Sequence, residues 1–200
     1  VTGVQRVLFR SNYEWITEKS AFKSVDDFIG EKLKSFIGKE KKSIIPRDVV
    51  LYGFGGIGRL LARELISQAG KGEQLRLRAV VTRSGGAEEL AKRADLLRND
   101  SVHGAFPGTV IEDPANEALI VNGHTIRMIA ASDPAKIDYT AYGINDALVI
   151  DNTGVVRDRE GLSKHLLSKG VSKVLLTAPG KGDVPNTVYG VNQQAFDHHK

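Results

Sequence analysis

"DVVLYGFGGIGRLLARELIS", residues 48–67, decides the fold. Val49, Val50 and Leu51 form a short, β-branched apolar run, which predicts a buried strand. Three glycines follow at Gly53, Gly55 and Gly58, and "RLLARELISQAG" then reads as a helix up to Gly70. Downstream, "LRLRAVVT" over 75–82 is a second strand-like run. A strand, a helix and a strand in that order imply a parallel pair joined by a right-handed crossover.

The same alternation continues to the end of the chain. A helix is predicted from Glu88 to Arg98, strands at "GTVIED" and "ALIVNGHTIRMIA", and a strand at "DALVIDNTG". A helix follows near Arg159–Ser168, then a last strand at "SKVLLTAP". Asn122-Gly123 between two apolar runs is a two-residue hairpin signal. The expected fold is therefore α/β, a doubly wound Rossmann-type parallel sheet with a hairpin insertion. Before it, Ser24 opens an amphipathic pattern through Val25, Phe28, Ile29, Leu33, Phe36 and Ile37, closed by Gly38. Residues 4–16 also read as helical. Residues 1–47 thus form a helical extension and 48–200 the principal domain, with the linker near 38–47.

The two parts differ in charge. The first 47 residues hold ten Lys/Arg against six Asp/Glu, whereas the remainder is balanced at eighteen of each. The extension lacks an aromatic platform among Lys39, Lys41 and Lys42, so a solvated basic surface is expected rather than a nucleic-acid partner. No apolar run is long enough to span a bilayer and no signal-peptide pattern opens the chain, which reads as cytoplasmic, without a membrane partner. Cysteine is absent. These residues can therefore form no disulfide, no thiolate metal site and no cysteine nucleophile.

The glycines match G-x-G-x-x-G in the context that gives the pattern meaning, after a strand and at the start of a helix. There the backbone can approach a pyrophosphate and offer it free N–H groups and the positive end of the helix dipole. Alanine at Gly53 or Gly55 is expected to weaken binding. At the tip of the second strand, where NAD sites place a ribose-binding acid, stand Thr82, Arg83 and Ser84. Arginine with neighbouring hydroxyls suits a 2′-phosphate, so the expected cofactor is NADP in preference to NAD.

Six segments, "GFGGIGR" (53–59), "NDSVHGAFPGTV" (99–110), "VNGHTIRMI" (121–129), "SDPAKIDY" (132–139), "VIDNTGV" (149–155) and "TAPGKGDVPNTVYGVN" (177–192), make the chain from about Asp48 to Asp197 resemble the cofactor-binding half of phosphorylating glyceraldehyde-3-phosphate dehydrogenases. The resemblance puts Gly55, Gly56 and Ile57 at the pyrophosphate, Thr153 and Gly154 along the cofactor, and Thr177 and Ala178 near the nicotinamide ribose. Glycine at 154 permits close approach, and Thr153 is expected to offer its hydroxyl. Where the family usually has other residues, this chain has Tyr52, Gly56, Arg83, Ser132 and Asn152, so the adenosine end is altered most. The resemblance also implies that the nucleophilic cysteine lies in a catalytic half beyond Lys200, that these residues are an inactive fragment, and that the whole protein is a tetramer acting on a phosphorylated aldehyde. A dinucleotide sensor that oxidises nothing is the alternative.

Other constellations carry less. Asp100, Ser101 and His103 are near in sequence only, and His198 and His199 have no ligand set around them. Gly180-Lys181-Gly182 lacks the rest of a phosphate loop. The acid pairs Glu88-Glu89 and Glu112-Asp113 are expected to be solvated. Neither a catalytic residue nor a metal ligand is expected in these residues.

Overall fold

The computed structural model describes residues 22–34, 45–69 and 75–195. Its contacts group into two compact units, residues 1–46 with 68–74, and residues 47–67 with 75–200. In the first unit, helix α1 spans Val25–Leu33. Ser24 caps it by accepting from the Asp27 N–H at 3.1 Å, and Asp26 and Asp27 set negative charge in its first turn. Phe28 is buried, its ring meeting Phe22 edge-on at 5.0 Å. The helical patterns expected at 4–16 and 34–38 fall mainly outside the described residues.

The second unit is built on a seven-stranded sheet. Its elements are β1 (Arg47–Tyr52), α2 (Gly56–Gln68), β2 (Leu75–Thr82) and α3 (Ala87–Arg98), then the short pair β3 (Asn99–Asp100) and β4 (Gly104–Ala105). After these come β5 (Val110–Asp113), β6 (Ala118–Val121), β7 (His124–Ala130), β8 (Ala147–Asp151), α4 (Arg159–Ser163) and β9 (Val171–Leu176). The strand order is β5-β6-β7-β2-β1-β8-β9. β7, β2, β1, β8 and β9 run parallel, and β5 and β6 extend the sheet antiparallel through the hairpin. The turn at Asn122 and Gly123 has φ of 48° and 82°, the left-handed pair that matches strand twist.

Central β1 is apolar from Val49 to Leu51 because it is covered on both faces there. Val49 and Leu51 face α2 and α3, packing with Ala62, Ile66, Leu90, Ala94 and Leu97. Val50 lies on the other face with Val81, Val149, Tyr139 and Ile144. Chain direction reverses its winding at β1, which has β2 on one side and β8 on the other. In such sheets the crevice at the carboxyl ends of these strands receives ligands.

One expected element differs. The single helix foreseen over Arg159–Ser168 is a short α4 followed by a 3-10 turn at Lys164–Leu167. The tighter turn places His165 inward, 2% exposed, where a continued α-helix would have rotated it elsewhere.

Candidate functional site

The tips of β1, β8, β9 and β2 carry the residues that the sequence assigns to the cofactor. The three glycines after β1 divide by what their missing side chains would meet. Gly53 has φ of 94°, and a Cβ there would lie 2.8 Å from Thr153 Cγ2. A Cβ at Gly58 would lie 2.4 Å from the Gly53 carbonyl oxygen. These two are therefore demanded by the protein's own turn and by the contact between helix and strand. Gly55 and Gly56 meet nothing within 4 Å. At Gly55 the space is open toward solvent, which is what a ligand approaching the backbone needs.

α2 begins at Gly56, its first helical bond running from the Arg59 N–H to the Gly55 carbonyl at 3.0 Å. The amides of Gly56, Ile57 and Gly58 precede any intrahelical partner. No acid stands in this first turn, whereas α1, α3 and α4 each have one or two. The positive end of the α2 dipole thus faces the crevice without a countercharge. Ile57 and Val155 leave apolar side chains exposed in the segments after β1 and β8.

The β8 tip is tightly bonded. Asp151, 2% exposed, accepts at Oδ1 from the Thr153 N–H and the Thr153 hydroxyl, both at 2.7 Å. Thr153 Oγ1 in turn accepts from the Val155 N–H at 3.2 Å. The hydroxyl expected to face a cofactor instead donates inward, because the buried carboxylate is the stronger acceptor. Gly154 has φ of 64°, and a Cβ there would sit 3.6 Å from the Ala178 side chain. Thr177 donates from its N–H and hydroxyl to the Asp151 carbonyl at 3.1 and 3.2 Å, tying the β9 tip to β8.

On its other oxygen Asp151 takes Nε2 of His165 at 3.1 Å. Burial by itself would raise the Asp151 pKa, but the bonds from His165 and Thr153 hold it below the usual carboxylate range. The Tyr52 ring stands edge-on to His165 at 4.6 Å. Burial and the Asp151 charge raise the Tyr52 pKa. Asn152 reaches toward the glycine loop, its amide 3.5 Å from the Gly53 carbonyl and 3.1 Å from that of Ile150.

At the β2 tip the picture is open. Arg83 and Ser84 are exposed, and neither the guanidinium nor the Ser84 hydroxyl makes a hydrogen bond or ion pair among the described residues. Thr82 donates to the Ser84 carbonyl at 2.8 Å, shaping the turn. Beside it a cavity of about 60 Å³ is lined by Thr82, Ser84, Gly86, Glu89, Arg93 and Met128, among others.

Two expectations about charge are corrected here. Glu89 is not solvated but pairs with Arg93, which also points at the Phe54 carbonyl in the glycine loop at 3.5 Å. Glu112 pairs with Arg98 at 2.8 Å, and Asp113 caps Asn116. Sequence reading also missed the role of Asp100. It accepts from Arg59 at 2.9 Å and from the Val102 and His103 N–H groups at 3.0 Å, with His103 Nδ1 at 2.9 Å. This carboxylate clamps α2 to the following loop. Among the described residues no group of acids, histidines or cysteines is arranged to hold a metal ion, and no helix is long and apolar enough to cross a membrane.

Residues 47–159 match the family model for the NAD-binding domain of glyceraldehyde 3-phosphate dehydrogenase. A glyceraldehyde-3-phosphate dehydrogenase-like protein of Pseudomonas aeruginosa is 53% identical over 171 residues, 85% of this chain and 37% of its own length. Glyceraldehyde-3-phosphate dehydrogenase of Zymomonas mobilis is 37% identical over 73% of this chain and 40% of its own length. The chloroplastic enzyme A of Zea mays is 37% identical over 74% of this chain and 35% of its own length. The chain therefore spans less than half the length of these relatives. A match to 85% of the chain cannot fit within residues 48–200, so the Pseudomonas protein also matches part of the extension.

Proposed function

Because the chain belongs to the glyceraldehyde-3-phosphate dehydrogenase family through its NAD-binding domain, we propose that residues 48–200 bind a nicotinamide dinucleotide across the tips of β1, β8 and β2, with NADP preferred. The observation that carries the reading is the division among the glycines. Gly53 and Gly58 are filled against the protein's own backbone and side chains, while Gly55 keeps an open approach beside a helix end that has no countercharge. That is a cradle for a pyrophosphate.

In this reading the N–H groups of Gly56, Ile57 and Gly58 hold the pyrophosphate. The Thr153–Gly154 turn and Thr177-Ala178 flank the remainder of the molecule, with Gly154 allowing close approach. Arg83 and Ser84 take the 2′-phosphate, since both are exposed with donors unspent among the described residues, and Glu89 in the adjoining cavity is paired with Arg93. When bound, the nicotinamide supplies hydride acceptance. The whole protein then oxidises a phosphorylated aldehyde through a cysteine outside these residues, which hold none, and the 200 residues by themselves are inactive. A homo-oligomer in the cytoplasm accords with the family resemblance.

Calorimetric titration of the chain with NADPH and NADH at matched salt tests the proposal. Binding of both, tighter for NADPH, is expected. Binding of neither would overturn the dinucleotide site, and tighter NADH binding would overturn the role given to Arg83.

A further inference from the structure

Asp151 and His165 are the most deeply buried ionisable pair at the strand tips, 2% exposed each, and nothing in the proposed binding uses either directly. We propose that they are a positioning pair for the Thr153–Gly154 turn, setting dinucleotide affinity without touching the dinucleotide. The inference rests on the reading that a dinucleotide crosses these tips.

Three observations carry it. Asp151 is the hub of the region. Its Oδ1 fixes the Thr153 N–H and hydroxyl, its Oδ2 meets His165, and its carbonyl receives Thr177. One side chain and one carbonyl therefore hold the tips of β8 and β9 in register. Second, Thr153 spends its hydroxyl proton inward, so the turn presents its backbone and the glycine to the crevice, and their placement depends on the carboxylate beneath. Third, His165 Nδ1 is buried and has no hydrogen-bond partner. Nε2, facing a carboxylate that can only accept, therefore carries a proton and donates to Asp151, the one hydrogen bond the ring makes among the described residues. Tyr52, packed edge-on against the imidazole at the end of β1, is the other ionisable group that meets the ring. It closes the pair off from the side of the glycine loop.

A pair that acts by orienting a neighbour should respond to the hydrogen bond rather than to volume. His165→Gln keeps an N–H donor on a side chain of fitting length, and His165→Leu keeps bulk without the donor. NADPH and NADH dissociation constants are measured for both variants and for Asp151→Asn, alongside unfolding midpoints and the hydrogen-exchange rate of the Thr153 amide. The leucine variant and Asp151→Asn are expected to weaken both dinucleotides about tenfold and to speed Thr153 exchange. The glutamine variant is expected to recover most of the affinity. Nitrogen NMR of the free protein should show a hydrogen-bonded proton on His165 Nε2. If Gln and Leu weaken binding equally, or Leu leaves it unchanged while the parent chain binds, the positioning role is overturned and the dinucleotide site stands. If the parent chain binds neither dinucleotide, both fall together. Should Asp151→Asn fail to fold, the two His165 variants decide the matter alone.

Discussion

The β8 tip and the β2 tip lie on opposite sides of β1, and they are prepared in opposite ways. At β8 the Asp151 carboxylate is sealed from water and holds the Thr153 N–H, the Thr153 hydroxyl and His165. At β2 the Arg83 guanidinium and Ser84 hydroxyl are exposed and without a hydrogen-bond or ion-pair partner among the described residues. Rigid geometry suits the side that must let a ligand backbone pass close to protein backbone. On the proposed function, unspent donors suit the side that chooses between a phosphate and a hydroxyl, because choice resides in bonds formed only with the ligand.

The sharpest way to break this contrast is at the glycines. Gly58→Ala drives a Cβ into the Gly53 carbonyl and should destabilise the fold by about 1–3 kcal/mol as overpacking does. That corresponds to a drop in the melting temperature of roughly 2–12 °C for a chain of this size. Gly55→Ala should leave the melting temperature unchanged and weaken both dinucleotides more than tenfold. Thermal unfolding with calorimetry checks both; a melting shift at Gly55 would show that its open space serves the fold.

Next in size is Arg83→Asp. Losing a charge-assisted bond worth about 1.5–3 kcal/mol and adding a carboxylate should weaken NADPH about 10- to 100-fold. NADH should be little affected, and equal losses would sink the distinction between the two tips.

A pH effect follows from the clamp at Asp100, whose pKa lies far below the usual range because His103, Arg59 and two backbone N–H groups bond the ionised form. A depressed carboxylate contributes stability that is complete above its unfolded value near about 3.9 and is lost as pH falls through the folded one. Urea midpoints between pH 6 and 3 should therefore fall less steeply for Asp100→Asn than for the parent. Parallel curves would remove the clamp from the acid limb.

Smallest is Ser84→Ala. One neutral hydrogen bond is worth about 0.5–1.5 kcal/mol, so NADPH binding should weaken about two- to tenfold with NADH unchanged.

The strand, helix and hairpin order was legible because each depends on neighbours in sequence: apolar runs, glycines, and the Asn122-Gly123 turn. The glycine loop after β1 and the exposed place of Arg83 at the β2 tip were legible for the same reason. What remained hidden was tertiary. Arg59 finds Asp100 across 41 positions and His165 finds Asp151 across 14, and no local pattern announces either pair. The 3-10 turn that aims His165 inward replaces a helix the sequence favours, an outcome of packing rather than propensity. The inward turn of the Thr153 hydroxyl depends on the buried Asp151 carboxylate, whose burial no local pattern announces.

The division among the glycines also says how such a loop would age. Were a descendant of this protein to lose its need for a ligand, Gly53 and Gly58 would persist, since the fold itself rejects a methyl group at either place. Gly55 would drift first. If the proposed site holds, a glycine at the middle position is a record of present use, and its replacement in a descendant would date the abandonment of the site.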